Sequence, residues 1–443
     1  MEFKSTYNDT RPFAALDKDP ETTTQAPPSS SRLDLKQWLQ ILSTTVIFTN
    51  TWGFLLSSGA LQLHYAQSLI PHETSSNISW ISTTCAFFVL SAGTVTGPLY
   101  DRGYYKALLL GGSLLHVFGL MMLSLSTTYY QLFLCQGICV GVGAGVVFTP
   151  SVSAAAACLS DPATRARAIG LMASGSCIGG VIFPLMFRSL VPQIGFPWTI
   201  RCIAFLTFGL YLLSYLVLLD GGLGRYSGTK MRRRFFDSSV LRDPPFLVLL
   251  VSSLTTAIAY YIPLLYLPIF TLIRIPTVSP SQTIDLLAII NGSSVIGRLS
   301  GGLAAAVIGP TEVSAVCLVL GVVILFGWMA VYTFAGTVVW SVFWGMVSGV
   351  LVTLPGAFVP LFCPSMDVIG TRVGMYWASA GLGMLIGSPM AGAIHDAKPG
   401  KDDAWRLQLF AALFMLVSLV TFLYPLHHLR RKSRKAGSLD RES

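Results

Sequence analysis

Apolar residues fall into twelve blocks along the chain, at about 38–62, 78–98, 107–126, 130–155, 168–190, 199–219, 246–270, 283–304, 312–333, 337–361, 373–393 and 405–425. Each holds roughly 20 residues, enough at 1.5 Å rise per residue to cross a hydrocarbon core of about 30 Å. The pattern predicts an all-α membrane protein with twelve transmembrane helices. About 37 mostly polar residues precede the first block, so it is expected to remain as a helix and not to be cleaved as a signal peptide.

The polar stretches set the organisation. Residues 1–36, rich in Thr, Pro, Ser and charge, cannot bury enough apolar surface to fold and are expected to form a disordered tail. A polar segment at 220–245 separates a six-helix half, 37–219, from a second, 246–425. A basic tail, 426–443, follows.

Composition agrees with a membrane protein: 53% of the 443 residues are hydrophobic and 11% charged, against about 25% charged in a soluble domain. The net charge of +9 does not imply a nucleic-acid partner, because the basic residues gather at helix ends. Arg102, Lys106, Arg165, Arg167, the run Arg232, Arg233, Arg234 and the stretch from Arg430 to Lys435 all follow even-numbered helices. The positive-inside rule then puts both termini in the cytoplasm. The eight cysteines lie in or beside apolar blocks without zinc-type spacing and read as small buried hydrophobes. Asn77-Ile-Ser79 is a glycosylation sequon in the outward loop between helices 1 and 2. Glycines concentrated within spans, such as Gly137, Gly141, Gly143, Gly145, Gly381, Gly383 and Gly387, suit close helix packing.

After helix 2 comes Gly97-Pro-Leu-Tyr-Asp101-Arg102-Gly103-Tyr-Tyr-Lys106. It resembles the GxxxDRxG turn of the major facilitator superfamily, in which a carboxylate can cap a facing helix and cations hold the cytoplasmic closure. Asp101 and Arg102 are therefore candidate gate residues. The matching turn after helix 8, Gly302 to Gly309, keeps the glycine frame and loses the charges, as expected of duplicated halves.

Within that superfamily the chain resembles the monocarboxylate-transporter-like family, fungal branch. The resemblance rests on Thr51-Trp52-Gly53-Phe54 through Gln62-Leu-His-Tyr65, on Arg165, Ala168, Gly170 and Gly175, on Gly195-Phe-Pro-Trp198-Thr-Ile-Arg201, and on Asn291-Gly-Ser-Ser-Val-Ile-Gly297-Arg298. It departs at the start of helix 1, where Leu35-Lys36-Gln37-Trp38 replaces the family's Asp-Gly-Gly. It departs also near Ser58 and at Ser294, where animal lactate carriers hold a lysine and an aspartate. Proton-coupled lactate uptake does not transfer.

Arg298, deep in helix 8 with no acid at i−4 or i+4, needs a cavity or a partner, because a charge within a span costs about 2.5–3.5 kcal/mol. Its planar fork suits a carboxylate, although a structural link to backbone carbonyls is the competing reading. The superfamily resemblance implies a cavity lined by helices 1, 4, 7 and 10. Candidate substrate residues are then Asn50, Ser57, Gln136, Tyr260, Tyr261 and Trp344, with Asn291 and Arg298 from helix 8. As a set they point to an amphipathic, partly aromatic solute. No carboxylate marks the midplane, and His64 and His116 read as packed histidines, so proton coupling has no assigned carrier and no cofactor is expected.

These features point to a secondary transporter of a small organic anion or secondary metabolite, working as a monomer by alternating access, with import and export both open. The expected location is the plasma membrane, with an endomembrane such as the vacuole as the alternative. A non-transporting sensor on the same scaffold is the competing class. An enzyme is disfavoured, since the chain has no HExxH, no paired intramembrane aspartates and no GxxxxGK[ST] loop.

Overall fold

The computed structural model describes residues 33–159, 162–218, 237–365, 368–397 and 404–442. The predicted tail up to residue 32 and most of the predicted linker, 219–236, lie outside the described residues. The described residues contain helices and turns and no strand. Eleven helical runs are long and apolar enough to cross a membrane. One of them, Arg167–Leu218, has 52 residues, about 78 Å of helix, far more than one crossing needs. It is broken at Gly195, where φ is 75° and ψ 168°, a conformation that glycine alone adopts readily. The chain therefore makes twelve crossings.

We number these α1 (Leu35–Leu69), α2 (Ser75–Asp101), α3 (Tyr105–Leu123), α4 (Tyr129–Ala157), α5 (162–194), α6 (196–218), α7 (Pro244–Arg274), α8 (Pro280–Ile308), α9 (Pro310–Trp328), α10 (Phe334–Phe362), α11 (Ile369–Ala397) and α12 (Trp405–Lys432). Several outrun their apolar blocks. The first helix starts three residues before its block because Asp34 closes a capping box with Gln37. The last continues to Glu442, through the predicted basic tail. With an even number of crossings, α1 begins and α12 ends at the same end of the bundle, the tail end.

Close backbone contacts repeat in the two six-helix halves. On α5, a Cβ at Gly175 or Gly179 would collide with the carbonyls of Thr45 and Thr49 on α1. On α11, about 208 positions later, a Cβ at Gly383 would collide with the Leu254 carbonyl of α7, and one at Gly387 would press on the Cα and side chain of Ile258. The pair Gly141 and Gly145 of α4 against α2 recurs as Gly345 and Gly349 of α10 against α8. The turn glycines Gly103 and Gly309 both have positive φ, 93° and 100°. A shared glycine geometry without shared charge is what the sequence of the two turns suggests.

The halves meet along α2 with α11, α5 with α8, and α1 with α7. Most glycines singled out in the sequence pack inside one half. Gly381 is the exception, lying on Ser91, Leu90 and Phe87 of α2. Pro263 and Pro268 sit inside α7 without ending it.

Candidate functional site

The predicted substrate residues divide between the seam and the interior of single halves. Arg298 is buried at the α5–α8 seam, where Nη1 donates to the Ala173 carbonyl at 3.0 Å and Nε approaches Ser294 Oγ at 3.4 Å. No carboxylate among the described residues forms an ion pair with it. Two turns nearer the other end of α8, Asn291 Nδ2 donates to the carbonyls of Gly180 (3.1 Å) and Leu287 (2.8 Å). Only a glycine at 180 leaves room for that amide. Tyr260 lies within electrostatic range of Arg298. These three residues share the seam.

Four others lie elsewhere, two of them, Asn50 and Trp344, with a buried side-chain oxygen or N–H that has no partner among the described residues. Gln136 accepts from Tyr65 Oη at 2.6 Å and donates to Ser82 at 3.3 Å, joining α1, α2 and α4. Asn50 donates to the Thr207 carbonyl of α6 at 3.1 Å. Ser57 turns back onto the Phe54 carbonyl at 2.6 Å. Trp344 is fully buried and stacks on Trp340, which stacks on Trp328. His116 is buried with Nδ1 2.8 Å from Tyr211 Oη, and His64 stacks on Phe196. Tyr261 is the remaining candidate. Its hydroxyl faces that of Ser58 across the α1–α7 contact, and neither has a hydrogen-bond partner among the described residues.

At the end opposite the tails, polar contacts join the halves. Asp396 of α11 accepts from the backbone N–H groups of Ser75 (3.1 Å) and Ser76 (3.0 Å), capping the first turn of α2. Ser76 Oγ donates to the Pro389 carbonyl at 2.9 Å. Tyr266 of α7 bonds Ser79 at 2.6 Å and the Ser388 carbonyl at 3.1 Å. Arg188 of α5 pairs with Asp285 of α8. The sequence reading assigned none of these contacts; the lone Arg188 inside an apolar block was the available signal. Asn77, expected in a loop, instead sits exposed in the first turn of α2 with its amide on Glu73. Thr74 caps the helix there and so starts it before the sequon.

At the tail end, Asp101 is half-buried as the last residue of α2, Arg102 is exposed, and Gly103 turns the chain into α3. The strongest charge cluster there is one that the sequence did not flag. Arg372, at the start of α11, is 1% exposed. It donates to Asp237 (3.0 Å), Asp243 (2.6 Å), the Phe362 carbonyl (2.8 Å) and Ser239 (3.2 Å), and lies over the Phe246 ring. Asp243 also caps α7. Burial acts to raise the Asp237 pKa, but hydrogen bonds from Ser239 and Arg372 outweigh it and hold the carboxyl below its ordinary value. In the first half, Arg165 donates to the Leu159 carbonyl just past α4, its one hydrogen-bond acceptor among the described residues. The repeat thus places an arginine alike in both halves, and among the described residues only the second has carboxylates on it.

Two halves of matched geometry, joined opposite the tails by separable side-chain contacts, with a cation in the seam that pairs with no carboxylate among the described residues, are suited to moving a solute without covalent chemistry. Comparison with known proteins agrees. The fujikurins efflux protein of Gibberella fujikuroi is 31% identical over 94% of this chain and 88% of its own length. The MFS-type transporter dbaD of Emericella nidulans is 37% identical over 81% of this chain and 79% of its own. Among solved structures, the nucleoside transporter NupG superposes with a TM-score of 0.69 at 14% identity, covering 88% of this chain and all of that one. A bacterial homologue of the human lysosomal transporter Spinster gives 0.66, also at 14% identity, over 89% and 98%. The Major Facilitator Superfamily description itself matches residues 41–366. The chain is a membrane transporter that belongs to the major facilitator superfamily.

Proposed function

We propose that this chain exports a small organic secondary metabolite by alternating access, as the monocarboxylate-like fungal branch of the superfamily. The observation that carries the reading is the seal opposite the tails. It consists of hydrogen bonds and one ion pair between the halves, and can open without unfolding either half. Export is favoured because relatives over most of the chain are named efflux proteins, for fujikurins and for aspyridones. In this reading the tails are cytoplasmic in the plasma membrane, the monomer is the transport unit, Asn77 is glycosylated on the outer face, and Asp101 and Arg102 close the inner one. Proton coupling stays without an assigned carrier.

Arg298 is the candidate anion contact. One of its N–H groups is committed to the Ala173 carbonyl, and no carboxylate among the described residues forms an ion pair with it. Untargeted comparison of metabolites inside and outside cells with and without the gene tests the direction. A compound retained in the deletion supports export; an external solute consumed only in the presence of the gene overturns it. Arg298→Ala is expected to abolish the flux at unchanged protein abundance and thermal stability. Loss of the folded protein would assign the residue to the structure.

A further inference from the structure

Where α1 meets the opposite half, three buried polar groups, two on α1 and one on α7, lack a partner or have only one another. Trp52 is 4% exposed and its indole N–H has no acceptor among the described residues; the hydroxyls of Ser58 and of Tyr261, from α7, face each other and have no other partner there. A buried donor without a partner costs stability that a well-packed protein ordinarily avoids. Here all three lie where the halves meet, so a state in which the halves part and something polar enters would relieve them.

Their surroundings say what enters. The Trp52 ring meets Phe148 of α4 at 6.0 Å and Trp377 of α11, in the opposite half, edge-on at 6.1 Å. Phe148 and Trp377 are both partly exposed. Aromatic walls of this kind hold flat conjugated rings by offset or edge contacts. Trp52 and Ser58 are six residues apart on α1, less than about 9 Å of rise because Thr49–Gly53 is π-helical, a separation that a fused-ring solute can bridge.

We infer that Trp52, Phe148 and Trp377 form the walls of a site for a planar, fused-ring solute whose oxygen acceptors take hydrogen bonds from Trp52 Nε1 and from the Ser58–Tyr261 hydroxyl pair. The inference rests on the transport reading and narrows its substrate class. The parting of Trp52 from Trp377 opens the site, so binding is linked to movement of the halves.

The test uses the full chain reconstituted in lipid nanodiscs, with equilibrium dialysis of two probes. Anthraquinone-2-carboxylate carries ring carbonyls; anthracene-2-carboxylate has the same ring frame and charge without them. Tyr261→Phe keeps the ring and removes the donor; Trp52→Phe removes the indole N–H and leaves a smaller aromatic ring in its place. Each is expected to weaken the anthraquinone about five- to tenfold, the worth of one hydrogen bond, and to leave the anthracene within about twofold. Trp377→Leu is expected to weaken both about tenfold. No binding of either probe to the wild type, or equal effects of Trp52→Phe on both, overturns the inference. The export reading fails separately: if gene deletion retains no metabolite while the probe pattern holds, the site stands and the direction of transport does not.

Discussion

Arg372 ties the start of α11 to the segment leading into α7 and to the end of α10. Removing one partner of a buried charge group leaves the others desolvated and unpaired, which costs about 3 kcal/mol or more. Arg372→Ala is therefore expected to lower the unfolding temperature of the purified protein strongly, and Arg372→Lys, without the planar fork, to recover only part. The depressed pKa of Asp237 sets the pH sign. Its stabilisation is complete above the unfolded carboxylate value of about 4 and is lost as pH falls through the lower folded value. Asp237→Asn should be less stable than the wild type at pH 7, with a smaller further loss on acidification. An equal acid loss in both proteins would show that other carboxylates dominate. The sequence offered little warning of Arg372, because one arginine just before an apolar block looks like an ordinary flanking charge. Its value depends on Asp237 and Asp243, some 130 residues away, which only the packing of α7 beside α11 brings to it.

Among helices, glycines of the same type have different duties. Gly383 faces the Leu254 carbonyl so closely that a side chain cannot fit, whereas a Cβ at Gly170 meets nothing within 4 Å. Gly383→Leu is expected to destabilise by about 1–3 kcal/mol through forced separation of α7 and α11. Gly170→Ala should be neutral or stabilise by up to about 1 kcal/mol through helix propensity. Thermal denaturation of the two variants side by side checks the contrast, and a similar loss in both would refute the assignment of Gly383 to the contact. The sequence made glycine-mediated packing legible, since apolar spans rich in small residues have few other ways to bring backbones together. It could not say which glycine crosses between halves. The same limit explains Ser57 and Ser58: adjacent on α1, one turns onto its own helix and the other faces Tyr261. A shift of one residue rotates a side chain by about 100°, more than block boundaries can resolve.

For the whole molecule, the seal opposite the tails is the feature with the most consequence. Asp396 caps a helix in the other half, and its loss leaves the N–H groups of Ser75 and Ser76 without that acceptor. Asp396→Ala is expected to shift the resting population toward opening at that end. In a cysteine-free background, an introduced cysteine at Ser79, buried in this structure, should then react several-fold faster with a membrane-impermeant maleimide. Unchanged labelling would count against a role for Asp396 in the seal. Hydropathy, the positive charges at helix ends and the glycine frame of the turns determined twelve crossings, an all-helical fold and duplicated halves, because membrane insertion is governed by local composition and segment length. The membership in a transporter superfamily was also legible, through short motifs in fixed order. Tertiary structure alone decided which polar residues lie in the seam, that Gln136 and Asn50 are enclosed within one half, and that Asp396, Arg188 and Arg372 have partners far along the chain. Those outcomes depend on helix rotation and on contacts between remote segments, which one residue's neighbours in sequence do not encode.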